Sequence, residues 1–218
     1  MLVIAAACGT TDIVATPHAN GRFRFEIERI EQVFRNLSER NTTSVVLHLG
    51  CDFHLNYENF LDAMENPRKY TINRGRYLMV QLPDAIALAG AGNAFHQLRK
   101  AGIIPILTHP ERNCLLQMQL PGLARFVAEG ACVQITAQSL LGRFGRAAQR
   151  AAASFLKADL VHFIASDAHD CIDRTPNLSR AHEYVSSRYG EQRAEMLLIH
   201  NPAAVLRGDP LPAAPYSG

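Results

Sequence analysis

A chain of 218 residues with 48% hydrophobic content can bury one sizeable core, and a single domain is the simplest partition. Its formal net charge is +2 and Lys and Arg form no run, so it lacks the electrostatic footprint of a nucleic-acid binder. No apolar stretch reaches the roughly 18 residues of a membrane-spanning helix, and the apolar start Met1 to Ala7 is too short and unflanked for a signal peptide; we read the chain as cytoplasmic.

In chain order, the first apolar run rich in β-branched residues is Asp12 to Thr16, expected as a strand. A helix follows over Phe25 to Arg40, where Ile27, Ile30, Val33, Phe34 and Leu37 keep the three-and-four spacing of a helix burying one face. Strands are expected at Ser44 to Leu49 and Tyr77 to Leu82, then a helix over Ala85 to Lys100 closed by Gly102. The strand Ile103 to Thr108 precedes a helix over Pro121 to Glu129, and Cys132 to Thr136 precedes one over Phe144 to Lys157. Leu160 to Ala165 is the last strand, followed by helices near Leu178 to Tyr189 and Gln192 to Ile199 and a short N-P-A-A-V-L turn. Near-continuous apolar strands alternating with helices imply βα units and a buried parallel sheet, an α/β fold. The tail 209–218, with three prolines, is expected to fray. Five scattered cysteines without C-x-x-C read as reduced, mostly buried thiols.

Ligands of parallel α/β proteins bind beyond the carboxyl ends of the strands. In this sequence those ends carry T-P-His18, G-C-Asp52, V-Gln81, T-His109-P-E-Arg112 and S-Asp167-A-His169. Asp167 and His169 are two apart, so an extended backbone turns both to one side. Mixed imidazole and carboxylate donors suit manganese, iron or zinc better than calcium or magnesium. Arg112 and Arg174, close behind the ligand motifs, are candidate bidentate phosphate clamps. Such a set supplies nucleophile, electrophile and substrate grip for a phosphoester hydrolysis without a nucleophilic cysteine.

The segments D-I-V-A-T-P-H, I-I-P-I-L-T-H-P-E-R-N, G-A-C-V-Q-I-T-A-Q-S-L-L-G-R-F-G and L-V-H-F-I-A-S-D-A-H-D-C-I-D-R-T-P, followed by H-N-P-A-A-V-L, resemble the PHP (polymerase and histidinol phosphatase) superfamily. Within it they look like the bacterial manganese-dependent tyrosine-protein phosphatases of capsular and exopolysaccharide synthesis. The resemblance implies a distorted (β/α)7 TIM-like barrel over residues 1–208, up to three metal ions, and hydrolysis of phosphotyrosine on a tyrosine kinase of polysaccharide export. Carried over by position, His18, His109, Asp167 and His169 match metal ligands, Asp52 stands where the family has a Glu ligand, and Arg112 and Arg174 match phosphate-contacting arginines.

Two departures qualify that match. The family's opening strand with D-x-H-x-H has no counterpart, since Met1 falls near the end of the helix that follows it. From this we expect fewer metal ions, a natural start upstream of Met1, and a gap exposing strand edges and barrel interior that favours homo-oligomers or low stability. Gln81 stands where the family usually has Glu, and an amide brings no charge to offset a cation. His54 and His162 read as structural, His48, His96, His182 and His200 as structural or surface, Gln138, Ser139 and Arg143 as shaping their loop, and Cys51 as buried filler. Two alternatives stand beside the tyrosine phosphatase: a small-molecule phosphoesterase of the histidinol-phosphatase kind, and a catalytically impaired scaffold that binds a phosphoprotein.

Overall fold

The computed structural model describes residues 1–84 and 88–212. Its strands, all parallel, are β1 (Asp12–Ala15), β2 (His18–Ala19), β3 (Val46–Leu49), β4 (Asp52–His54), β5 (Tyr77–Gln81), β6 (Ile104–Thr108), β7 (Cys132–Thr136) and β8 (Phe163–Ala165). Six form one sheet in the order β2-β4-β5-β6-β7-β8, and β1 pairs with β3 beside it.

The two sheets are one ladder interrupted twice. β1 stops at Thr16-Pro17, where proline offers no N–H to a neighbour, and resumes as β2. β3 stops at Gly50-Cys51 and resumes as β4. Backbone bonds carry the pairing across both breaks, from Gly50 N–H to Ala15 O at 2.9 Å and from Asp52 N–H to Pro17 O at 3.1 Å. Space is tight at the second break: a Cβ on Gly50 would stand 3.0 Å from Val14 Cγ1 and 3.1 Å from Ile72 Cγ1, so those side chains would have to shift for any larger residue. The six apolar runs of the sequence therefore become six lines of strand. Continuation past the breaks sets His18 opposite Asp52.

Alternation along the strands sorts their residues onto two covered faces. Leu78, Val80, Leu107, Val133, Ile135 and Ile164 enter the larger core. Tyr77, Ile104, Ile106, Cys132 and Phe163 point the other way, into a smaller cluster with Ile72 and Val205. Burial on both sides explains the near-continuous apolar strands. The strands do not close into the expected barrel: among the described residues no pairing joins β8 to β1 or β2, and closure requires hydrogen bonds between first and last strands. Nor is the smaller cluster laid open, since Ile104 is 9% and Ile106 3% exposed.

The helices are α1 (Leu2–Ala7), α2 (Ile27–Glu39), α3 (Tyr57–Glu65), α4 (Leu88–Lys100), α5 (Cys114–Met118), α6 (Leu120–Ala128), α7 (Ala137–Leu140), α8 (Gly145–Lys157), α9 (Ser179–Tyr189), α10 (Glu191–Glu195) and α11 (Asn201–Arg207). The expected start of α4 at Ala85 and the tail beyond Pro212 lie outside the described residues. α10 runs into one π-helical turn, Met196–His200, so the expected Gln192 to Ile199 helix is wider-wound in its second half. Three short helices went unforeseen, α3, α5 and α7; two carry the cap that marks them, Asn56 accepting from Asn59 N–H at 2.8 Å and Asn113 from Leu115 and Leu116 N–H at 3.1 Å. Asp209 to Pro212 docks rather than frays: Tyr77 Oη donates to Asp209 O at 2.6 Å and Leu211 packs on the smaller cluster.

Two further expectations need correction. α2 buries no residue fully, and Val33 and Leu37 stand 61% and 45% exposed; only Ile27 and Ile30 reach the larger core. A cavity of about 390 Å³ lined by Ile27, Phe34, Leu47 and Leu49 keeps the helix off β3. Of the cysteines, only Cys51 and Cys132 are buried, while Cys114 and Cys171 are exposed and Cys8 is half-buried. Burial pushes the Cys51 thiol up and that of Cys132 up to about 12, which leaves both protonated and inert.

Candidate active site

Four strand ends and their loops converge on one place. At the β2 and β4 ends, His18 Nδ1 donates to Asp52 Oδ2 at 2.7 Å. The His18 ring lies 6.5 Å, centroid to centroid, from that of His169. His109 leaves β6 with φ 37° and Asp167 follows β8 with φ 48°, both in the left-handed region that non-glycine residues rarely occupy. Paired strain at the ends of β6 and β8, with β7 between them, is the kind that surrounding structure maintains at working sites. After His109 the chain makes a single 3-10 turn, Pro110–Arg112, which swings Arg112 towards the β8 end.

Asp167 is the hub. Arg112 Nη1 donates to its Oδ2 at 2.5 Å, and Arg174 Nη2 donates to the same oxygen and, at 3.0 Å, to the Asp167 backbone carbonyl. The His169 Nδ1–H also donates to that carbonyl at 3.0 Å, which engages Nδ1 and makes Nε2 the nitrogen to be offered elsewhere. The bond from His18 to Asp52 engages Nδ1 of His18 in the same way. His109 is held below the ordinary imidazole pKa by burial and by the Arg112 charge, with Asp167 and Asp52 opposing. It is therefore neutral at neutral pH and able to donate a lone pair.

Arg174 reaches this point because Asp170 folds its loop back: Asp170 Oδ1 accepts from the backbone N–H groups of Ile172, Asp173 and Arg174 at 2.8, 2.7 and 3.0 Å. Those bonds hold the Asp170 carboxyl below the usual range. Glu111 is 0% exposed between His109 and Arg112 and ties their turn to the loop after β7, accepting from Thr136 N–H at 3.0 Å and Ser139 Oγ–H at 2.7 Å. Burial pushes its carboxyl up. Phe144 lies beneath both guanidinium groups, 4.8 Å from Arg112 Cζ and 5.5 Å from Arg174 Cζ. Sequence reading missed Asp170, Glu111 and Phe144, because burial and distant partners define them; the Asx turn in D-C-I-D-R was the one local signal.

His18, Asp52, His109, Asp167, His169, Arg112 and Arg174 thus share one neighbourhood. Gln81 ends β5 half-buried, in register with His54 on β4. The donor chemistry suits a divalent cation: Asp52 Oδ1 is buried without a hydrogen-bond partner, an acceptor that a cation would satisfy, and His109 is neutral. No three described His, Cys, Asp or Glu side chains are drawn together around a single ion position. The backbone carbonyl of His54 accepts from Asn59 Nδ2 at 2.9 Å, and the His162 ring takes a structural role, its Nδ1 accepting from Val133 N–H at 3.1 Å.

Fold and site together define a parallel α/β protein with an imidazole–carboxylate cluster at its strand ends, flanked by two arginines. A family model described as capsular polysaccharide synthesis, CpsB/CapC, matches residues 1–207. The CapC protein of Staphylococcus aureus is 34% identical over 178 residues, 80% of this chain and 69% of its own. The tyrosine-protein phosphatase YwqE of Bacillus subtilis is 28% identical over 193 residues, 87% of this chain and 76% of its own. A crystal structure from work on YwqE and on CpsB of Streptococcus pneumoniae, described there as metal-dependent tyrosine phosphatases, superposes with a TM-score of 0.86 at 28% identity, covering 99% of this chain and 88% of that one. The chain belongs to the CpsB/CapC family.

Proposed function

We propose that this chain is a metal-dependent phosphomonoester hydrolase that removes the phosphoryl group from protein phosphotyrosine, its substrate being a tyrosine kinase of polysaccharide export. The observation that carries the reading is the convergence of two guanidinium groups and the His169 imidazole on Asp167, with the His18 ring beside that of His169. The names of its relatives support the same activity. His18, Asp52, His109, Asp167 and His169 would hold the metal, with Gln81 as a neutral oxygen donor and Mn²⁺ favoured over Fe or Zn. A divalent ion there supplies Lewis-acid charge and a nucleophile at neutral pH.

The protein's own groups do the rest. The five N–H groups of each guanidinium offer Arg112 and Arg174 a planar fork for phosphoryl oxygens, and both stand ready to exchange Asp167 for substrate. The hydrogen bonds that His18 and His169 donate from Nδ1 orient their rings and leave Nε2 as the nitrogen that would face a metal, while Glu111 anchors the turn joining His109 to Arg112. In this reading residues 1–208 act as one cytoplasmic phosphatase domain, their strands part of a distorted barrel.

The test is hydrolysis of an aryl phosphate with added Mn²⁺, compared between the wild type and the Arg112→Lys and Arg174→Lys variants. Loss of a bidentate clamp worth ~1.5–3 kcal/mol lowers kcat/KM by roughly 10- to 100-fold. Faster turnover of alkyl phosphates than of a phosphotyrosyl peptide would instead favour a small-molecule phosphoesterase. Gln81 and the absence of a closed three-donor group among the described residues favour a second reading, a scaffold that binds phosphoprotein. Tight phosphopeptide binding without turnover is its signature.

A further inference from the structure

We propose that Phe144 is a positioning residue: its ring holds the guanidinium groups of Arg112 and Arg174 in a common orientation for one phosphoryl group. This rests on the reading of those arginines as the phosphate clamp. The two come from different loops, one after β6 and the other after β8, and they meet over a ring supplied by a third, between α7 and α8. Arginine carries four flexible side-chain torsions; Arg112 is anchored by one bond to Asp167 Oδ2, and Arg174 by bonds to Asp167 Oδ2 and O that both leave from Nη2, so each guanidinium is held at one nitrogen. Arg174 Nε is buried and has no hydrogen-bond partner among the described residues, so no bond at that atom sets its plane either. A ring face beneath both cations supplies the missing constraint through cation–π attraction.

The choice of an aromatic has a chemical reason. A carboxylate in that place would hold the arginines equally well but would neutralise them and repel an incoming phosphate. A phenyl ring takes no hydrogen bond, so the guanidinium edges remain free to donate. The loop that carries the ring is held at several points. Ser139 Oγ and Thr136 N–H are bound by Glu111, Gln138 Nε2 donates to Asp173 O at 2.7 Å, and Arg143 pairs with Asp173 at 3.7 Å. Gly142 and Gly145, with φ of 85° and 89°, bend the chain on either side. One loop without a metal-ligand candidate thus touches both arginine-bearing loops at side chain and backbone.

The experiment uses the full chain with Phe144→Leu, which keeps apolar bulk and removes the ring, and Phe144→Trp, which keeps a ring and adds the only tryptophan of the protein. Binding of inorganic phosphate with Mn²⁺ present is measured by calorimetry, with thermal melts alongside. Phe144→Leu is expected to weaken phosphate binding about fivefold to tenfold, and Phe144→Trp to stay within about threefold of wild type. In the Phe144→Trp background, Arg112→Ala and Arg174→Ala should each shift the tryptophan emission. Three results overturn the proposal: unchanged phosphate affinity in folded Phe144→Leu, emission indifferent to both arginine substitutions, or a defect confined to aryl phosphates, which would place the ring against the substrate instead. If the wild type neither binds phosphate nor hydrolyses its esters, the phosphatase reading fails. The emission measurement still decides whether the stack orients the arginines.

Discussion

Among the proposed metal donors, Gln81 is the one that is neither imidazole nor carboxylate. A carboxamide can lend an oxygen but contributes no charge against a cation. Gln81→Glu is therefore expected to tighten Mn²⁺ binding by about tenfold, ~1.4 kcal/mol, read by titration calorimetry. Unchanged affinity would remove Gln81 from the metal's surroundings. Glu111 makes the opposite case, a charge-bearing group wholly inside the protein. Glu111→Ala leaves Thr136 N–H and Ser139 Oγ without their acceptor and should cost about 2 kcal/mol, a fall in Tm of roughly 4–8 °C for a chain of this size. Glu111→Gln keeps an acceptor oxygen and should recover most of that loss in the same melts. The ligand candidates were legible because each follows an apolar run in a stiff or closely spaced motif, T-P-H or S-D-A-H. Glu111 and Phe144 were not, since their meaning lies in partners remote in sequence.

At the scale of elements, apolar periodicity located every long helix to within a few residues and all six lines of strand. What it mistook was the fate of a face. α2 has the spacing of a buried helix, yet a helix needs a surface within reach, and the cavity over Leu47 and Leu49 withholds it. Val33→Lys and Leu37→Lys should each change stability by no more than about 0.5 kcal/mol in urea denaturation, while Ile30→Lys, which meets the larger core, should cost more than about 1 kcal/mol. Equal costs at all three positions would mean that α2 is covered in solution. The breaks at Pro17 and Gly50 leave the register untouched: Ala15 pairs with Leu49 before them and His18 with Asp52 after them, so the ladder itself sets His18 over Asp52.

For the molecule as a whole, His162 links stability to pH. Burial holds its imidazole below the ordinary value of 6.5, and Nδ1 is engaged by Val133 N–H. The unfolded chain takes up that proton near 6.5, the folded one only at lower pH; between the two the unfolded state binds more protons, so stability rises with pH. The urea midpoint should fall between about pH 7.5 and about pH 5.5, and His162→Gln should flatten the slope relative to wild type. Identical slopes would show that His162 is protonated as easily folded as unfolded.

The amino-acid order alone determined the α/β class, the alternation of strand and helix, and the residue types at the strand ends, because periodicity and turn chemistry act over a few residues. Only the tertiary structure decided that the sheet stays open, that α2 stands clear of β3, and that Asp167 gathers both arginines over the ring of Phe144. Those outcomes depend on which distant surfaces meet, and burial, charge pairing and ring stacking are properties of that meeting.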